Sequence, residues 1–224
     1  MYSIAIDGPS GAGKSTLAKA LAKKLGFLYV DTGAIYRTVG LYAKINSIDP
    51  KDEQKLSENF DKINIELKWV DGTQHVFLGD EDVSEAIRTP EMSMYASAVS
   101  TLPKVRNFLL EKQRNFSVTN NVIMDGRDIG TVVLPNADVK IFLVANSDSR
   151  AKRRCEELKA KGQNVTLEEI KNDMAARDKQ DSERKTAPCV PAHDAVTLDD
   201  SDLTLEQTTE KALEIIHEKI NEIL

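Results

Sequence analysis

The sequence predicts an α/β protein built on a five-stranded parallel sheet, with helices covering both faces in a three-layer arrangement. Two observations lead to this prediction. Short apolar runs alternate along the chain with segments of helical periodicity, and a glycine-rich loop joins the first run to the first helix. Strands buried on both faces are apolar almost throughout, and each parallel pair needs a crossover connection. The length of 224 residues suits one such domain with insertions.

Five short apolar runs are the predicted strands of this sheet. They are IAI at 4–6, FLYV at 27–30, VIM at 122–124, KIFLVA at 140–145 and AVTL at 195–198. After the first run, Leu17, Leu21 and Leu25 form one stripe of a helix that Gly26 can cap. A second helix is expected at about 34–43, and apolar residues at helical spacing from Leu205 to Ile223 predict a C-terminal helix.

Two stretches break this alternation, and we expect them to form separate parts of the protein. Residues 50–90 contain two β-like runs around Asp71-Gly72, a dipeptide that favours a hairpin turn. Residues 148–190 are dense in charge and end in the loop TAPCVPAHD. The prediction is a single unit with a core at about 1–49, 91–147 and 191–224, an inserted region at about 50–90 and a lid at about 148–190.

Composition and charge indicate which kinds of partner and which cellular compartment to expect. The formal net charge of −6 argues against a nucleic acid polymer as the main partner, because phosphate backbones select basic surfaces. No apolar run is long enough to span a bilayer, and the N-terminus lacks the features of a signal peptide. Cys155 and Cys189 fit no metal or redox spacing and are interpreted as free thiols. We expect a cytoplasmic monomer whose partners are small molecules.

A phosphate-binding loop is the strongest motif. Gly8, Pro9, Ser10, Gly11, Ala12, Gly13, Lys14 and Ser15 match the P-loop pattern G-x-x-x-x-G-K-[ST], and Thr16 follows. Glycines let the backbone N–H groups converge on phosphate oxygens, and the helix that follows presents its positive end to the anion. Lys14 can reach the transferred phosphate, and the Ser15 hydroxyl can be a ligand of Mg²⁺. The alternative is a glycine-rich turn without a ligand.

The P-loop does not name a reaction, but the rest of the chain reduces the possibilities. The guanine-binding motif N-K-x-D of switch GTPases is absent from the sequence, so a small kinase acting on a small acceptor is expected. An anionic acceptor needs cations, and arginine pairs with phosphate in a bidentate manner. The candidates are Arg37, Arg88, Arg106, Arg127, Arg150, Arg153, Arg154, Arg177 and Arg184. Each of them is alternatively an ordinary solvated side chain.

Position along the chain favours some of these arginines. Arg37 lies in DTGAIYR after the second predicted strand, and Arg127 lies beside Asp128 in DGRDIG after the third. Ligands of parallel α/β sheets bind outside the carboxyl ends of the strands, where the P-loop also lies. Arg177, Asp181 and Arg184 have the spacing of one helix face. They form either a lid over the nucleotides or a surface salt-bridge ladder, and RAKRRCEELKAK at 150–161 has the same two interpretations.

Several motifs together resemble the bacterial cytidylate kinases over nearly the whole chain. They are GPSGAGKS, DTGAIYR, IRTPE followed by YASAVSTLPKVR, MDGRDIGTVVLP, KIFLVA and ARDKQDSERKTAPCVPA, in this order. DTGAIYR and DGRDIGTVVLP are much more specific than the P-loop. The resemblance implies a P-loop nucleoside monophosphate kinase that transfers the γ-phosphate of ATP to CMP or dCMP with Mg²⁺. The insertion then resembles the extra element of the bacterial nucleotide-binding domain.

The resemblance also implies roles for individual residues. Ser97, Arg106 and Asp128 would contact the cytosine, Arg177 and Asp181 the sugar, and Arg37, Arg127 and Arg184 the acceptor phosphate. Arg153 or Arg154 would close on ATP, with the choice between them open. Thr32 stands where many relatives have serine, and it keeps a hydroxyl for the nucleotide. Lys14, Arg127, Asp128 and Arg184 would be the catalytic residues, and Ser15 the metal ligand.

Two rival functions remain. One is a P-loop kinase for a different nucleotide or a small metabolite, in which case the roles of Ser97, Arg106 and Asp128 change. The other is a nucleotide-binding regulatory module without turnover, which leaves the acceptor arginines without a role. The sequence does not determine whether the hairpin at 60–90 contacts the nucleotide or only braces its domain.

Overall fold

A computed structural model of the chain describes residues 1–70, 73–160 and 162–221. Within these residues the strands are β1 (Ser3–Asp7), β2 (Leu28–Asp31), β3 (Ile65–Val70), β4 (Thr73–Leu78), β5 (Glu81–Asp82), β6 (Val122–Asp125), β7 (Val139–Val144) and β8 (Val196–Asp199). The α-helices are α1 (Lys14–Leu25), α2 (Thr32–Ile45), α3 (Glu53–Ser57), α4 (Pro90–Val99), α5 (Pro103–Thr119), α6 (Ser147–Ala160), α7 (Leu167–Glu183) and α8 (Leu205–Asn221).

The predicted five-stranded parallel sheet is confirmed. Its strand order is β2-β6-β1-β7-β8, so the strand that leads into the P-loop lies at the centre. β1 runs parallel to both β6 and β7, and β7 runs parallel to β8. This order brings the carboxyl end of β1 beside that of β6, which carries Asp125. Central position and parallel pairing explain why Ile4 and Ile6 are completely buried.

Helix α1 begins and ends where the sequence predicts. Gly13 is its N-cap with φ 84°, and Gly26 is its C-cap with φ 69°. Both residues adopt the left-handed region, which glycine enters without the steric cost of a Cβ. Leu17 and Leu21 lie on the buried stripe and pack against strand residues of the sheet such as Ile123. Packing on this face therefore holds the start of α1 at the end of β1.

The chain divides into two compact units. The first unit comprises Met1–Tyr29 and Thr119–Leu224, and the second comprises Val30–Val118. In the first unit, residues of α1 and α8 share a core with β1, β6 and β7. A further apolar cluster joins α6 to α7 through Cys155, Ile170 and Met174. The proposed division into core, insertion and lid stays a prediction.

The second unit has its own core and its own small sheet. The core joins α2, α4 and α5 to the strands β3 and β4 through residues such as Ile35, Val76 and Leu109. β3 pairs antiparallel with β4, from Ile65 opposite Leu78 to Val70 opposite Thr73, and β5 extends this sheet. The two predicted β-like runs thus pair with each other. The predicted turn at Asp71-Gly72 lies outside the described residues.

Two expectations from composition can be compared with the described residues. Both cysteines are free thiols, with Cys155 buried and Cys189 partly buried. In the described ranges, no helix combines the length and the apolar character that crossing a bilayer requires.

Candidate functional site

The glycine loop between β1 and α1 has the curled backbone that a phosphate-binding loop requires. Gly8 has φ 148°, and a Cβ built on it would lie 2.1 Å from the carbonyl oxygen of Leu143. Any side chain at this position would collide with the backbone of β7. The loop ends at Gly13, where α1 begins with N–H groups that the geometry of a helix leaves without an intrahelical partner. The backbone therefore forms a cradle at the positive end of α1.

Lys14 lies buried in the first turn of α1. Its Nζ donates a hydrogen bond to the carbonyl oxygen of Pro9 at 2.6 Å, which folds the side chain back over its own loop. The pKa of Lys14 is lowered to about 7, mainly by burial and also by the nearby Arg127 guanidinium, whereas Asp125 opposes this shift. An anion bound beside a buried amine favours the protonated, charged form of that amine.

The pKa of Lys14 leads to a prediction about stability. The unfolded chain holds the Lys14 proton up to about pH 10.5, whereas the folded protein releases it near pH 7. Between these values the unfolded state binds more protons, so the free energy of unfolding rises with pH. The rise attributable to Lys14 is at most about 1.4 kcal/mol per pH unit.

Urea denaturation of the ligand-free protein and of Lys14→Met at several pH values from 7 to 9 measures this effect. The difference in unfolding free energy between the two proteins isolates Lys14, because other groups titrate in both. We expect the difference to shift in favour of the wild type as the pH rises. A difference that stays constant over this range would contradict the lowered pKa.

The next residue of the loop is connected to the end of β6. The Ser15 hydroxyl donates to Oδ2 of Asp125 at 2.7 Å, and the Tyr29 hydroxyl donates to Oδ1 at 2.9 Å. Asp125 was not predicted as a site residue, although its position at the end of a predicted strand was a usable signal. A hydroxyl and a carboxylate beside a phosphate loop are oxygen ligands of the kind that Mg²⁺ prefers. The residues therefore fit this ion.

The structure brings four of the predicted residues of the first unit into two ion pairs. Arg127 Nε donates to Asp181 Oδ2 at 2.9 Å, and Arg184 Nη2 donates to Asp128 Oδ1 at 3.2 Å. Both side chains of the second pair are at least nine-tenths buried. Burial alone would lower the pKa of Arg127, but the anionic groups around it, led by the Asp181 carboxylate, together raise the pKa. The two ion pairs hold the guanidinium groups in fixed positions.

The predicted helix face of Arg177, Asp181 and Arg184 is correct only for the first two. Helix α7 ends at Glu183, and Arg184 is its C-cap with an extended backbone of φ −62° and ψ 139°. Its Nε donates to the carbonyl oxygen of Ala187 at 2.6 Å. The buried partners of the Arg184 side chain draw the chain out of the helix, and helical spacing carries no information about such partners.

Asp7 connects the P-loop strand to the segment that carries Arg127 and Asp128. Its Oδ1 accepts from the backbone N–H of Ile129 at 2.8 Å, and its Oδ2 accepts from that of Gly130 at 2.7 Å. These two residues begin a short π-helical turn, Ile129–Val133. Burial raises the pKa of Asp7 to about 6, although both hydrogen bonds lower it. Asp7, which lies at the end of the first strand, was not predicted as a site residue.

Arg153 and Arg154 have different surroundings. Arg153 Nη1 donates to both carboxylate oxygens of Asp200 at 3.1 and 3.0 Å, and its Nη2 donates to the Asp200 carbonyl at 2.7 Å. A Cβ on Gly13 would lie 3.9 Å from Arg153 Nη1. Arg154 instead pairs with Glu157, one turn further along the same helix. Of the two arginines, the described contacts place Arg153 beside the P-loop.

In the second unit, a carboxylate at the end of β2 gathers two arginines. Asp31 Oδ2 lies 2.9 Å from Arg37 Nη2 and 3.5 Å from Arg88 Nη1. Asp31 also caps α2 by accepting from the N–H of Ala34, and its own N–H donates to Gln74 Oε1 at 2.9 Å. Thr32, the next residue, is buried. Gln74 belongs to β4, so the hairpin braces the DTGAIYR segment.

The two remaining predicted residues also lie in the second unit. Arg106 is buried on α5, where its Nη1 donates to the carbonyl oxygen of Ser100 at 3.2 Å. Its guanidinium lies 5.7 Å from the ring centroid of Tyr36. Ser97 lies on α4. The structure thus places Thr32, Arg37, Ser97 and Arg106 in the second unit, and the P-loop, Arg127, Asp128, Arg153, Arg154, Arg177, Asp181 and Arg184 in the first.

Comparison with known proteins gives full-length matches. A family model described as cytidylate kinase matches residues 4–218. A cytidylate kinase of Caldicellulosiruptor bescii is 49% identical over 221 residues, covering 98% of each chain. A cytidylate kinase of Caldanaerobacter subterraneus is 51% identical over 213 residues, covering 95% of this chain and 93% of its own.

Solved structures with low sequence identity share the fold. A gluconokinase from Sinorhizobium meliloti superposes with a TM-score of 0.50 at 13% identity, covering 99% of this chain and 95% of its own. An uncharacterized protein from Eubacterium ventriosum gives a TM-score of 0.54 at 12% identity, covering 97% and 99%. At such identities the likeness concerns the architecture alone.

Proposed function

The chain belongs to the cytidylate kinase family, and on this premise we propose how its residues divide the transfer of the ATP γ-phosphate to CMP or dCMP. The observation that carries the proposal is the buried Lys14 amine in its glycine loop, with Arg127 nearby. Phosphoryl transfer needs positioned positive charge more than covalent chemistry. Amines and guanidinium groups held in place supply that charge without reorganisation during the reaction.

The donor nucleotide is assigned to the loop and to one lid arginine. The N–H groups at the start of α1 bind the phosphates of ATP, together with residues Gly8 to Thr16. Lys14 leaves the Pro9 carbonyl and contacts the transferred phosphate. Arg153 rather than Arg154 is the cation of α6 that contacts ATP, since it is the one beside Gly13.

The acceptor nucleotide is assigned to the residues that the family resemblance implies. Ser97, Arg106 and Asp128 contact the cytosine, Arg177 and Asp181 contact the sugar, and Thr32 adds a polar contact. Arg37, Arg127 and Arg184 bind the acceptor phosphate. Each of these three guanidiniums is paired with a carboxylate, which offsets its charge and fixes its position.

Ser15 and Asp125 are proposed to hold Mg²⁺. Ser15 would be a direct ligand, whereas Asp125 would act through its hydrogen bond to Ser15 or through a water molecule. The ion would supply neutralisation of the charge on the donor phosphates. In the described residues no cluster of three or more acidic, His or Cys side chains is suited to a metal. This is compatible with Mg²⁺, which takes one or two protein ligands and completes its shell with water and phosphate oxygens.

The attacking group is a phosphate oxygen that is already ionised near neutral pH, so the reaction needs no dedicated general base. The protein must instead keep water away from ATP. We assign this to closure of the lid at about 148–190 and of the inserted region at about 50–90. A cytoplasmic monomer without nucleic acid or membrane partners is the proposed working form.

The test is ADP release with Mg-ATP and a panel of acceptors. The panel is CMP, dCMP, UMP, AMP, GMP, dTMP and shikimate. We expect kcat/KM for CMP and dCMP to exceed that for AMP, GMP, dTMP and shikimate by at least roughly tenfold, because a site built on hydrogen bonds rejects mismatched bases.

The outcomes of this assay distinguish the proposed kinase from the two alternative functions. Faster turnover of another acceptor would keep the fold and the donor site but remove the roles of Ser97, Arg106 and Asp128. No ADP release with any acceptor would favour a regulatory module that binds nucleotide without turnover.

A further inference from the structure

The tip of the P-loop is held by two charged residues of the lid region to which no role has been assigned. Ser10 is the third residue of the motif, and both polar groups of its backbone are bound by side chains. From this geometry we infer that Arg150 of α6 and Asp178 of α7 are positioning residues that clamp the P-loop to the lid helices. The inference rests on the donor role proposed for the loop and extends it.

The contacts form a closed set around one residue. Asp178 Oδ1 accepts from the Ser10 N–H at 2.9 Å, and Arg150 Nη1 donates to the Ser10 carbonyl at 2.7 Å. Arg150 Nη1 also donates to Asp178 Oδ2 at 2.5 Å, and its Nε donates to the Ala145 carbonyl at 3.0 Å. The carboxylate and the guanidinium therefore bind Ser10 and each other at the same time.

The packing around the clamp is close. The Arg150 side chain is 12% exposed and that of Asp178 is 21% exposed. On the next residue, Gly11, a Cβ would lie 2.6 Å from Met174 Cε and 3.5 Å from the Arg150 carbonyl oxygen. Met174 lies one turn before Asp178 on α7, in the cluster that joins α6 to α7. Both lid helices therefore rest directly on the tip of the loop.

An exposed ion pair between two helices would be an alternative, and such pairs contribute about 0–1 kcal/mol to stability. The Arg150–Asp178 pair differs from such an exposed pair because both side chains also hydrogen-bond the backbone of Ser10. That backbone belongs to a loop that must keep a curled shape. A peptide whose N–H and C=O are both fixed by charged groups has little freedom to rotate. The geometry indicates a role in shaping the loop.

The clamp also positions the residues that α6 and α7 bring to the nucleotides. Arg153 follows Arg150 by about one turn of α6, and Arg177 and Asp181 flank Asp178 on α7. Loss of the clamp would release these side chains and the loop together. A displacement of about 1 Å at a reacting centre can lower a rate roughly 10²-fold.

The variants for a test are Asp178→Asn, Arg150→Met, the double variant and the control Asp173→Asn. Asp173 is an exposed carboxylate on the same helix, so its variant repeats the chemistry of Asp178→Asn away from the clamp. Arg150→Lys keeps a positive charge and tests for partial recovery. For each protein, kcat, KM for ATP, KM for CMP and the thermal midpoint are measured with Mg²⁺.

We expect Asp178→Asn and Arg150→Met each to lower kcat roughly 10–100-fold and to raise KM for ATP, with KM for CMP changed less than twofold. The double variant should be no worse than the poorer single variant, because the two residues act as a unit. Arg150→Lys should recover part of kcat, and Asp173→Asn should match the wild type.

Three results would overturn the clamp. The first is equal behaviour of Asp178→Asn and Asp173→Asn. The second is multiplication of the two single effects in the double variant, which indicates independent roles. The third is an equal rise of KM for ATP and CMP together with a lower thermal midpoint, which indicates general destabilisation. Turnover of CMP by the wild type tests the proposed function separately, so its failure is distinguishable from failure of the clamp.

Discussion

Replacing Lys14 by alanine is expected to lower kcat for CMP phosphorylation by roughly 10³-fold or more, the range found for cations that stabilise a transferring phosphoryl group. The loss arises because Lys14 is the amine that the glycine loop itself carries, with its Nζ at the Pro9 carbonyl. Arg127 is held by Asp181 and cannot take its place. Initial rates of ADP release at saturating ATP and CMP measure the effect.

Lys23→Ala is the matched control for this variant. Lys23 is exposed in the last turn of the same helix, so removing it tests the loss of one charge on α1 without touching the loop. We expect its kcat to stay within twofold of the wild type. If Lys14→Ala kept a tenth or more of the activity, the assignment of Lys14 to the transferred phosphate would be wrong.

Arg106→Ala and Asp128→Ala are expected to lower kcat/KM for CMP roughly 10²–10³-fold while KM for ATP changes little. Truncating one partner of a buried, hydrogen-bonded charge pair costs about 2–5 kcal/mol, which corresponds to a loss of this order. Asp128→Ala has a second effect, because it leaves Arg184 buried without its carboxylate. Breaking such a pair costs about 3–5 kcal/mol, so the thermal midpoint should fall.

Asp128→Asn keeps the size of the side chain, so it provides a second test of the same role if the alanine variant unfolds. Arg114→Ala serves as the control for Arg106→Ala, since Arg114 lies on the same helix, is partly exposed and pairs with Glu111. Full steady-state kinetics with both substrates give the comparison. Losses of equal size for CMP and ATP would remove cytosine recognition from these residues.

Elements with a strong local signal were predicted closely. Helix α1 runs from Lys14 to Leu25, because its leucine stripe is periodic and glycines stand at both ends. The predicted strands of the parallel sheet lie within one residue of the observed ones, because buried strands are short, apolar and bounded by loops. The P-loop was recognisable because its signal is local as well: all its parts lie within eight consecutive residues.

Residues whose role depends on a distant partner were harder to predict. Asp7, Asp125 and Asp178 were given no role from the sequence, although each forms a hydrogen bond to a segment more than 25 positions away. Arg184 was expected on a helix face, and its buried contact with Asp128 places it at the helix end instead. Periodicity reports which face of an element is apolar, but it does not report which polar group will be opposite.

The sequence by itself determined the class of this protein, since the P-loop, the strand pattern and motifs such as DGRDIG are contiguous stretches of chain. Only the tertiary structure decided the strand order, the ion pairs Arg127–Asp181 and Arg184–Asp128, the pairing of Arg37 and Arg88 with Asp31, and the clamp on Ser10. The reason is physical: a buried charge is stable only beside a partner, and the fold selects that partner from residues far apart in the chain.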